Sequence, residues 1–417
     1  MAEFFNVLPP DEARDLLLRH IRPIRETERI STVEALGRVT LSDIRAPHSL
    51  PSFPRSTMDG FAVRAADTFG ASETLPAFLT IVGEVQMGQA PDVFPQAGEA
   101  VVVHTGGMLP VTADAVIQIE HTQAVGEQFV ASFPYEVEVF RPVAAGQNVI
   151  QIGEDVAADS IIIPSGFALR PQDIGGLLAL GVIEVPVVRR PRISILATGD
   201  EVVAPSSDPM PGQIRDINSY TVGGQCLKAG GVPIYAGIVP DNFNILRGTA
   251  AAALAGADML VMSAGSSVSI RDMTVEVIQE LGLPGVLLHG VATRPGKPTI
   301  VGAVDGKPIL GLPGNPVSAM IQFDMFGVPA LHKLQGAVNT PPRDRIVATL
   351  MQNIASESGR EDYIPARLEE SDSGIIATPI FGKSNLIFTL VQADGLIKVP
   401  LNRGGLMAGD LVEVHIF

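Results

Sequence analysis

Strand and helix patterns alternate between residues 191 and 335, and this alternation constrains the fold of the 417-residue chain more than any other feature. Apolar runs typical of strands are each followed by apolar residues at helical spacing. The predicted strands are Arg192–Ala197, Pro233–Val239, Asp258–Met262 and Pro308–Leu312, and the predicted helices lie at about 217–229, 243–256, 272–282 and 316–333. The pattern predicts a parallel sheet with crossover helices, interrupted by an irregular stretch at 285–305.

Two of these predicted strands end on loops that suit an anionic ligand. Ser263–Ser269 is a loop of small residues, and Pro313–Pro316 combines two prolines with a glycine that allows close approach. Ligands of open α/β sheets bind beyond the carboxyl ends of the strands, where helix N-termini attract phosphate. The alternative for each loop is an ordinary turn before a capped helix, so neither loop decides the matter alone.

A compact cationic turn, Arg294-Pro295-Gly296-Lys297, lies between the two loops in the sequence. The chain carries a net charge of −16, so an anionic substrate would need local cations to overcome the overall field. Two cations on a rigid turn therefore favour an oxyanion site, with a solvated loop as the alternative.

Three acidic residues are predicted to lie at the same edge of the sheet: Glu201, Asp241 and Asp272, the last at the expected start of a helix. Carboxylate oxygens together with substrate phosphates are the ligands that Mg²⁺ prefers. The three positions together predict a magnesium site, whereas any one of them alone would more simply cap a helix.

The composition excludes several classes of function. The acidic surplus makes the chain a poor binder of nucleic acid, whose phosphates require Lys and Arg. The single cysteine, Cys226, rules out an intrachain disulfide or a cysteine-based metal centre, and the seven histidines show no metal-binding spacing. The sequence has neither a signal-peptide layout nor a run of about 20 apolar residues, so we expect a cytoplasmic protein without a membrane partner.

Helical and β patterns flank the predicted α/β domain. Residues 9–37 are predicted to be helical from Pro10 onward, and a proline-rich connector follows at 46–56. Residues 57–141 predict a small all-β domain, and a second β domain follows Pro342. The predicted strands are Phe78–Val82, Ala100–Val103, Ala115–Ile119, Glu136–Phe140, Ile161–Pro164, Arg345–Met351, Ile375–Pro379, Leu396–Pro400 and Leu411–Ile416, with a further helix at Gln172–Leu180.

An ordered set of short motifs runs along essentially the whole chain. They are Ser56–Ala62, Thr105-Gly106 with Ala113–Val116, Gly153–Val156, Ala197–Val202, Gly212–Ile214 with Asn218-Ser219, Ser263–Asp272, Arg294–Pro298 and Leu312–Ala319. Singly these motifs are weak, but their order and separation are specific. By them the chain resembles the MoeA/gephyrin E-domain family, the molybdopterin molybdenumtransferases.

The resemblance implies an elongated four-domain protein of the multidomain α/β plus β class. Residues 1–50 and 142–188 would form an N-terminal domain, with a β domain inserted at 51–141. Residues 189–337 would form an α/β molybdopterin-binding domain like that of the molybdopterin adenylyltransferases, and 338–417 a C-terminal β-barrel. Such proteins form homodimers, in which the cleft lies between the α/β domain of one subunit and the β domain of the other.

The activity implied is Mg²⁺-dependent insertion of molybdate into adenylylated molybdopterin, with release of AMP, in molybdenum cofactor biosynthesis. Molybdate would be bound by Arg294, Lys297, Ser318, Arg360 and Ser384, and the pterin phosphate and nucleotide by Ser263, Gly265, Ser266, Ser267, Pro313, Gly314 and Asn315. The catalytic residues would be Asp59, Thr105, Asp155, Glu201, Asp241 and Asp272, of which Asp241 and Asp272 would hold Mg²⁺. Asp59 and Thr105 would reach the cleft from the partner subunit, and molybdopterin adenylyltransferase is a further candidate partner.

Four positions depart from the family's pattern. Ala264 and Ser269 replace two glycines of the Ser-rich loop, and Val275 and Gly290 stand where basic residues are common. The loss of two cations would weaken anion binding. These departures motivate an alternative, a divergent paralogue that binds molybdopterin or cofactor without turnover. A narrower alternative is an enzyme that uses tungstate, which is nearly isosteric with molybdate.

Overall fold

The computed structural model describes residues 7–125, 133–263, 268–340, 344–372 and 374–417, with the backbone alone for 268–270. The chain divides into two compact units. The first comprises Met1–Ser42, Ser165–Ile174 and Ile183–Phe417, and the second comprises Asp43–Pro164 and Gly175–Val182.

The first unit contains a six-stranded sheet, whose strands and helices we number from here. The strands are β1 Arg192–Thr198, β2 Val232–Val239, β3 Met259–Ser263, β4 Pro284–His289, β5 Ile300–Val304 and β6 Lys307–Leu312, in the order β2-β1-β3-β6-β5-β4. β1 pairs in parallel with β2 and with β3, and β3 pairs in parallel with β6. β5 pairs in antiparallel fashion with β6 and with β4. The predicted parallel strands and crossover helices are therefore confirmed.

The helices of this sheet are α1 Asn218–Lys228, α2 Phe243–Ala255, α3 Val268–Glu280, α4 Pro316–Gln322 and α5 Val328–Leu334. A π-helical turn, Phe323–Gly327, joins α4 to α5. It ends two residues before Pro329, which lacks the N–H that a regular α-helix would use there. The helix predicted to begin near Asp272 begins earlier, because α3 starts at Val268 and Asp272 lies in its second turn.

Two sequence predictions in this unit were wrong. The stretch 285–305 is not irregular, since it contains all of β5 and all but the first residue of β4. The Pro- and Gly-rich turn between the two strands obscured them in the sequence. The helix predicted at 9–37 spans only Pro10–Arg19. Pro23 cannot continue a helix, and the chain instead enters a strand, Thr27–Ser31, which pairs with Glu184–Val188, and a 3₁₀ turn at Thr32–Glu34.

The C-terminal part of the first unit is a closed five-stranded barrel. Its strands follow the order Glu361–Ser371, Gly374–Pro379, Arg345–Leu350, Leu411–Ile416 and Gly395–Val399, and the last pairs back with the first. Four of the five were predicted, and Glu361–Ser371 was missed. A two-residue strand, Thr293–Arg294, pairs in parallel with Glu361–Asp362 and so joins the turn after β4 to the barrel sheet. Shorter elements are the strand pairs Val202–Val203 with Ile214–Arg215 and Ile354–Ala355 with Gly405–Leu406, and the helix Phe388–Val391.

The second unit is built on a six-stranded sheet, as the all-β pattern predicts. The strand order is Ala115–Gln118, Gly60–Val63, Glu99–Val103, Ala77–Glu84, Tyr135–Val139 and Thr122–Ala124. A Cβ at Gly60 would lie 1.9 Å from the carbonyl oxygen of Ile117, so only glycine allows these two strands to pair. Smaller elements are the pairs Ile44–Arg45 with Ile161–Ile163 and Arg55–Ser56 with Val149–Ile150, and the 3₁₀ turns Ala65–Thr68 and Ile119–His121. The predicted helix at Gln172–Leu180 is observed as Pro171–Ala179.

Among the described residues, no helix combines the length and apolar character that crossing a membrane requires.

Candidate functional site

One cavity of about 560 Å³ in the first unit is lined by all five residues predicted to bind molybdate. Arg294 and Lys297 come from the turn between β4 and β5, and Ser318 comes from the first turn of α4. Arg360 directly precedes a barrel strand, and Ser384 precedes the helix Phe388–Val391. The structure thus brings together side chains from four separate segments of the chain.

The cationic turn is held by hydrogen bonds to its backbone. The buried side chain of Gln322, at the end of α4, donates from Nε2 to the carbonyl oxygen of Pro295 at 3.0 Å. Thr299 donates its hydroxyl to the carbonyl oxygen of Gly296 at 2.7 Å. Gly296 has φ of +109°, and a Cβ there would lie 2.3 Å from the Gln322 side chain. Glycine is therefore required both by the backbone conformation and by the packing.

The loop before α4 places hydroxyl and amide groups on the opposite wall. Pro316 begins α4, where its missing N–H costs no helical hydrogen bond, and Ser318 is buried. The backbone N–H of Val317 donates to the carbonyl oxygen of Ser384 at 3.1 Å. Asn315 donates from Nδ2 to the hydroxyl of Ser384 at 2.9 Å. These bonds tie the loop after β6 to the barrel segment that carries Ser384.

Two charged residues of the same cavity were missed by sequence reasoning. The Asp362 carboxylate, only 2% exposed, accepts a hydrogen bond from Nε of Arg360 at 2.9 Å and lies 3.8 Å from Nη1 of Arg294. Lys383 also lines the cavity and is exposed. The only sequence signal for Asp362 is its position two residues after Arg360, a spacing that places two side chains on the same side of an extended chain.

A second cavity, of about 410 Å³, contains four of the other predicted residues: Glu201, Ser263, Gly314 and Asn315. Asn218 donates from Nδ2 to the hydroxyl of Ser263 at 2.9 Å and to the carbonyl oxygen of Gly314 at 2.8 Å. It therefore fixes the ends of β3 and β6 relative to each other. Asn315 lines both cavities, and Pro313 lines the first.

The three acidic residues expected at the sheet edge do not form a three-ligand metal cluster. Asp241 accepts a hydrogen bond from the hydroxyl of Thr198 at 2.9 Å, Glu201 lines the second cavity, and Asp272 is exposed on α3. Over the described ranges, no group of three or more His, Cys, Asp or Glu side chains is placed to hold a metal ion. Magnesium binding by Asp241 and Asp272 therefore stays a prediction. A Mg²⁺ ion commonly uses only one or two carboxylates with substrate phosphates and waters, and the donor chemistry of these residues fits that arrangement.

Part of the Ser-rich loop lies outside the described residues. This applies to Gly265, Ser266 and Ser267, and to Ala264 among the departures. The two departures at positions where basic residues are common supply no cation: Val275 packs against the core, and Gly290 has φ of +107°.

The second unit carries its own polar cluster around Asp59. The Oδ1 atom of Asp59 accepts hydrogen bonds from the backbone N–H of Thr105 at 2.8 Å and from its hydroxyl at 3.1 Å. These bonds, the backbone one first, hold the pKa of the Asp59 carboxyl below its usual value. His104, which sequence reasoning also missed, lies 2.7 Å from Glu84 through Nε2 and 3.9 Å from Asp59 through Nδ1. Asp155 is exposed in a loop of the same unit.

In the first unit, the turn after a strand of the α/β sheet and segments of the β-barrel region contribute cationic side chains to one cavity. Three family models match the chain: the MoeA N-terminal region (domain I and II) over residues 8–181, the Probable molybdopterin binding domain over 194–333, and the MoeA C-terminal region (domain IV) over 347–417. The chain belongs to the MoeA family and has its four-domain fold.

Relatives match over nearly the full length of the chain. The molybdopterin molybdenumtransferase of Bacillus subtilis is 31% identical, over 99% of this chain and 95% of its own length. That of Haemophilus influenzae is 32% identical, over 99% of each chain. The crystal structure of the molybdopterin biosynthesis moeA protein from Pyrococcus horikoshii OT3 is 33% identical and superposes with a TM-score of 0.84, over 99% of this chain and 100% of that one.

Proposed function

We propose that the protein is a transferase of molybdenum cofactor biosynthesis, which inserts molybdate into adenylylated molybdopterin with release of AMP. The observation that carries the proposal is the single cavity in which four cations, Arg294, Lys297, Arg360 and Lys383, meet two serine hydroxyls in an otherwise acidic chain. Similarity to relatives named molybdopterin molybdenumtransferase extends over the whole chain, which favours the transferase over a paralogue that only binds the pterin.

The first cavity suits molybdate because molybdate is a tetrahedral dianion. Arginine offers several N–H donors in a fixed fork, and lysine adds a compact charge, so the pair can meet oxygens on different faces of a tetrahedron. The hydroxyls of Ser318 and Ser384 supply neutral donors whose hydrogens rotate to suit the ligand. Lys383 adds a cation to a site that lacks basic residues at Val275 and Gly290.

The second cavity would receive the pterin phosphate and its nucleotide. Ser263 and Gly314 lie at the carboxyl ends of two adjacent parallel strands, where helix N-termini attract phosphate. Since Asn315 lines both cavities, the loop Pro313–Pro316 would orient the pterin beside the oxyanion. Asp241 and Asp272, with the substrate phosphates, would hold Mg²⁺, which would offset the negative charge of the phosphoanhydride as it is cleaved.

The direct test is an assay with purified protein, adenylylated molybdopterin, Mg²⁺ and molybdate. We expect release of AMP and formation of cofactor, with the molybdate KM raised about ten-fold or more by Arg294→Ala and by Arg360→Ala. Arg345→Ala is a matched control, because Arg345 lies on a barrel strand outside the first cavity and pairs with Glu413. Binding of the pterin without AMP release at any molybdate or tungstate concentration would contradict the proposal, and competition between the two oxyanions would rank them.

The Asp59 cluster is proposed to act in a homodimer, from the partner subunit, on the cavity that contains Arg294. At a molybdate concentration well below the raised KM of Arg294→Ala, we expect Asp59→Ala and Arg294→Ala each to show little activity alone. Mixed dimers of the two variants would then contain one intact site each, so an equal mixture should regain about a quarter of the activity. No recovery on mixing, with mixed dimers demonstrated, would exclude a shared site. We further propose that the protein acts in the cytoplasm and exchanges substrate with molybdopterin adenylyltransferase.

A further inference from the structure

We propose that Asp362 is a positioning residue for the oxyanion site, whose buried carboxylate sets the guanidinium groups of Arg360 and Arg294 for a tetrahedral anion. The inference rests on the proposed function, because it concerns how the same cavity binds its oxyanion substrate.

Burial and contacts single out this carboxylate. Its side chain is 2% exposed, whereas those of Arg360 and Arg294 are 27% and 63% exposed. An ionised carboxylate is costly to bury unless cations and hydrogen bonds compensate it. Asp362 obtains that compensation from two arginines, each at one of its oxygens, so its position and theirs are interdependent.

The hydrogen bond to Arg360 restricts how that side chain can turn. Oδ1 of Asp362 accepts from Nε, at the base of the guanidinium fork, at 2.9 Å. A bond at Nε fixes the plane of the fork but leaves N–H groups of the two terminal nitrogens for a ligand. Bidentate recognition of an oxyanion depends on that plane, so holding it in advance lowers the entropy lost on binding.

Backbone pairing fixes the position of the second arginine, Arg294. Arg294 and Asp362 are register partners in the parallel pairing of Thr293–Arg294 with the barrel strand, and Asp362 pairs on its other side with Val399. The carboxylate therefore projects from a strand that is fixed at both edges. The 3.8 Å separation between Oδ2 and Nη1 of Arg294 is an ion-pair distance rather than a hydrogen bond, so Arg294 is drawn to the site while its donors remain available.

A second carboxylate on Arg360 offers a matched control. Glu357 lies 2.9 Å from Nη1 of Arg360 but is 76% exposed. An exposed ion pair contributes little and leaves both side chains mobile. Glu357→Ala should therefore leave oxyanion binding almost unchanged, although it removes a negative charge from the same guanidinium.

Two substitutions separate positioning from charge. Asp362→Asn keeps the length of the side chain and an oxygen that can accept from Nε, but it loses the charge. Asp362→Glu keeps the charge but displaces the carboxylate by one methylene in a packed site. If Asp362 acts mainly through its hydrogen bond with Nε of Arg360, Glu weakens oxyanion binding, whereas Asn loses only the ion pair with the exposed Arg294 and nearly preserves binding. If Asp362 acts mainly through its charge, the order reverses.

The experiment is calorimetric titration of the full-length protein with inorganic molybdate, together with the KM values for molybdate and for the pterin substrate. We expect the molybdate Kd to rise about ten-fold in Asp362→Glu and in Asp362→Ala, and to stay within about three-fold of the wild type in Asp362→Asn and Glu357→Ala. The KM for the pterin should not move. Thermal unfolding midpoints would be measured for each variant to identify any that fail to fold.

Molybdate binding by Asp362→Glu as tight as in the wild type, or a loss in Asn equal to that in Glu, would overturn the inference while leaving the proposed function intact. The expected order of Kd values without any AMP release would support the positioning role and count against the transferase. A wild-type protein that binds neither molybdate nor tungstate would overturn both.

Discussion

The side-chain amide of Gln322 lies 3.0 Å from the carbonyl oxygen of Pro295 and joins the end of α4 to the cationic turn. Gln322 is completely buried, and its other polar atom, Oε1, has no hydrogen-bond partner among the described residues. The turn that carries Arg294 and Lys297 is thus positioned by the helix whose first turn carries Ser318. A residue outside the cavity couples its two walls.

Gln322→Met should weaken oxyanion binding with little change in stability. The substitution leaves the carbonyl oxygen of Pro295 with only a longer hydrogen bond, from the hydroxyl of Thr293 at 3.4 Å. This costs no more than about 1–3 kcal/mol, and removal of the unpartnered Oε1 offsets a similar amount. We expect a raised molybdate KM and an unfolding free energy within about 1 kcal/mol of the wild type. Gln225→Met is the control. Gln225 donates to the carbonyl oxygen of Met320 at 3.0 Å, and its Oε1 also has no partner within the described part of the chain, yet it lines neither cavity. An equal rise in KM for both variants would contradict this role.

Gly296→Ala should disturb the cationic turn more than its volume suggests. At φ of +109° a Cβ is strained, and this Cβ would also lie 2.3 Å from Gln322. We expect a loss of about 1–3 kcal/mol in stability and a raised molybdate KM. Gly409→Ala isolates the backbone contribution, since Gly409 has φ of +92° and a Cβ added there would meet nothing within 4 Å. Thermal unfolding measures the stability of the two variants. If both lose the same stability, contact of the added Cβ with Gln322 is unimportant.

The arrangement of the α/β sheet follows from local patterns, which is why its parallel strands were predictable. Strands such as β3 are short, fully buried apolar runs, and small-residue loops mark where they end. The antiparallel strands β4 and β5 were not predicted, because they flank the Arg294–Lys297 turn, whose Pro and Gly are typical of an irregular stretch. β5 forms a hairpin with β6 through the two-residue turn Asp305-Gly306, a local signal that could have revealed it, whereas β4 pairs with β5 across the whole cationic turn.

In the candidate site, too, residues within local motifs were predictable, whereas a residue that depends on long-range pairing was not. Arg294, Lys297 and Ser318 belong to motifs that can be read directly, and the structure gathers them in one cavity. Asp362 could not be read in this way, because its significance arises only when a two-residue strand pairs with the barrel. A single Asp in a strand has no sequence signature of a buried ionic contact.

The pKa of the Asp59 carboxyl should lie below its ordinary value, and the hydrogen bonds from Thr105 are the main cause. The backbone N–H of Thr105 contributes most to the lowered pKa and its hydroxyl contributes next, so Thr105→Ala should raise the pKa only partly toward 3.8. Since the folded-state pKa is depressed, the contribution to stability is present above the unfolded value and is lost as the pH falls through the folded one. Asp59 therefore stays ionised across neutral pH. Carbon-13 NMR titration of the carboxyl checks this, and a midpoint at or above 3.8 in the wild type would contradict it.

Arg189 and Asp258 form the ion pair of the first unit whose loss should be most damaging. Nη1 and Nη2 of Arg189 lie 2.8 and 3.0 Å from the two oxygens of Asp258, and both side chains are less than one-fifth exposed. Burial alone would raise the pKa of Asp258, but the hydrogen bonds from Arg189 and from the backbone of Arg192 outweigh it and lower the pKa. Removing the arginine would leave the largely buried carboxylate with only the backbone N–H of Arg192 and the charge of Lys307 to compensate it.

Arg189→Met should therefore lower the unfolding free energy by about 2–3 kcal/mol at pH 7, somewhat less than for a fully buried pair. Because the folded-state pKa of Asp258 is depressed, the stabilisation is present above the unfolded value and is lost as the pH falls through the folded one. The difference between variant and wild type should accordingly narrow below about pH 4. Arg247→Met removes an exposed pair with Glu280 at the same 2.8 Å and should cost no more than about 0.5 kcal/mol. Urea unfolding at pH 7 and below pH 4 measures the unfolding free energies of both variants and of the wild type. If the two variants lose the same free energy, or if the difference between Arg189→Met and the wild type grows in acid, then burial of Asp258 does not decide the contribution of its ion pair.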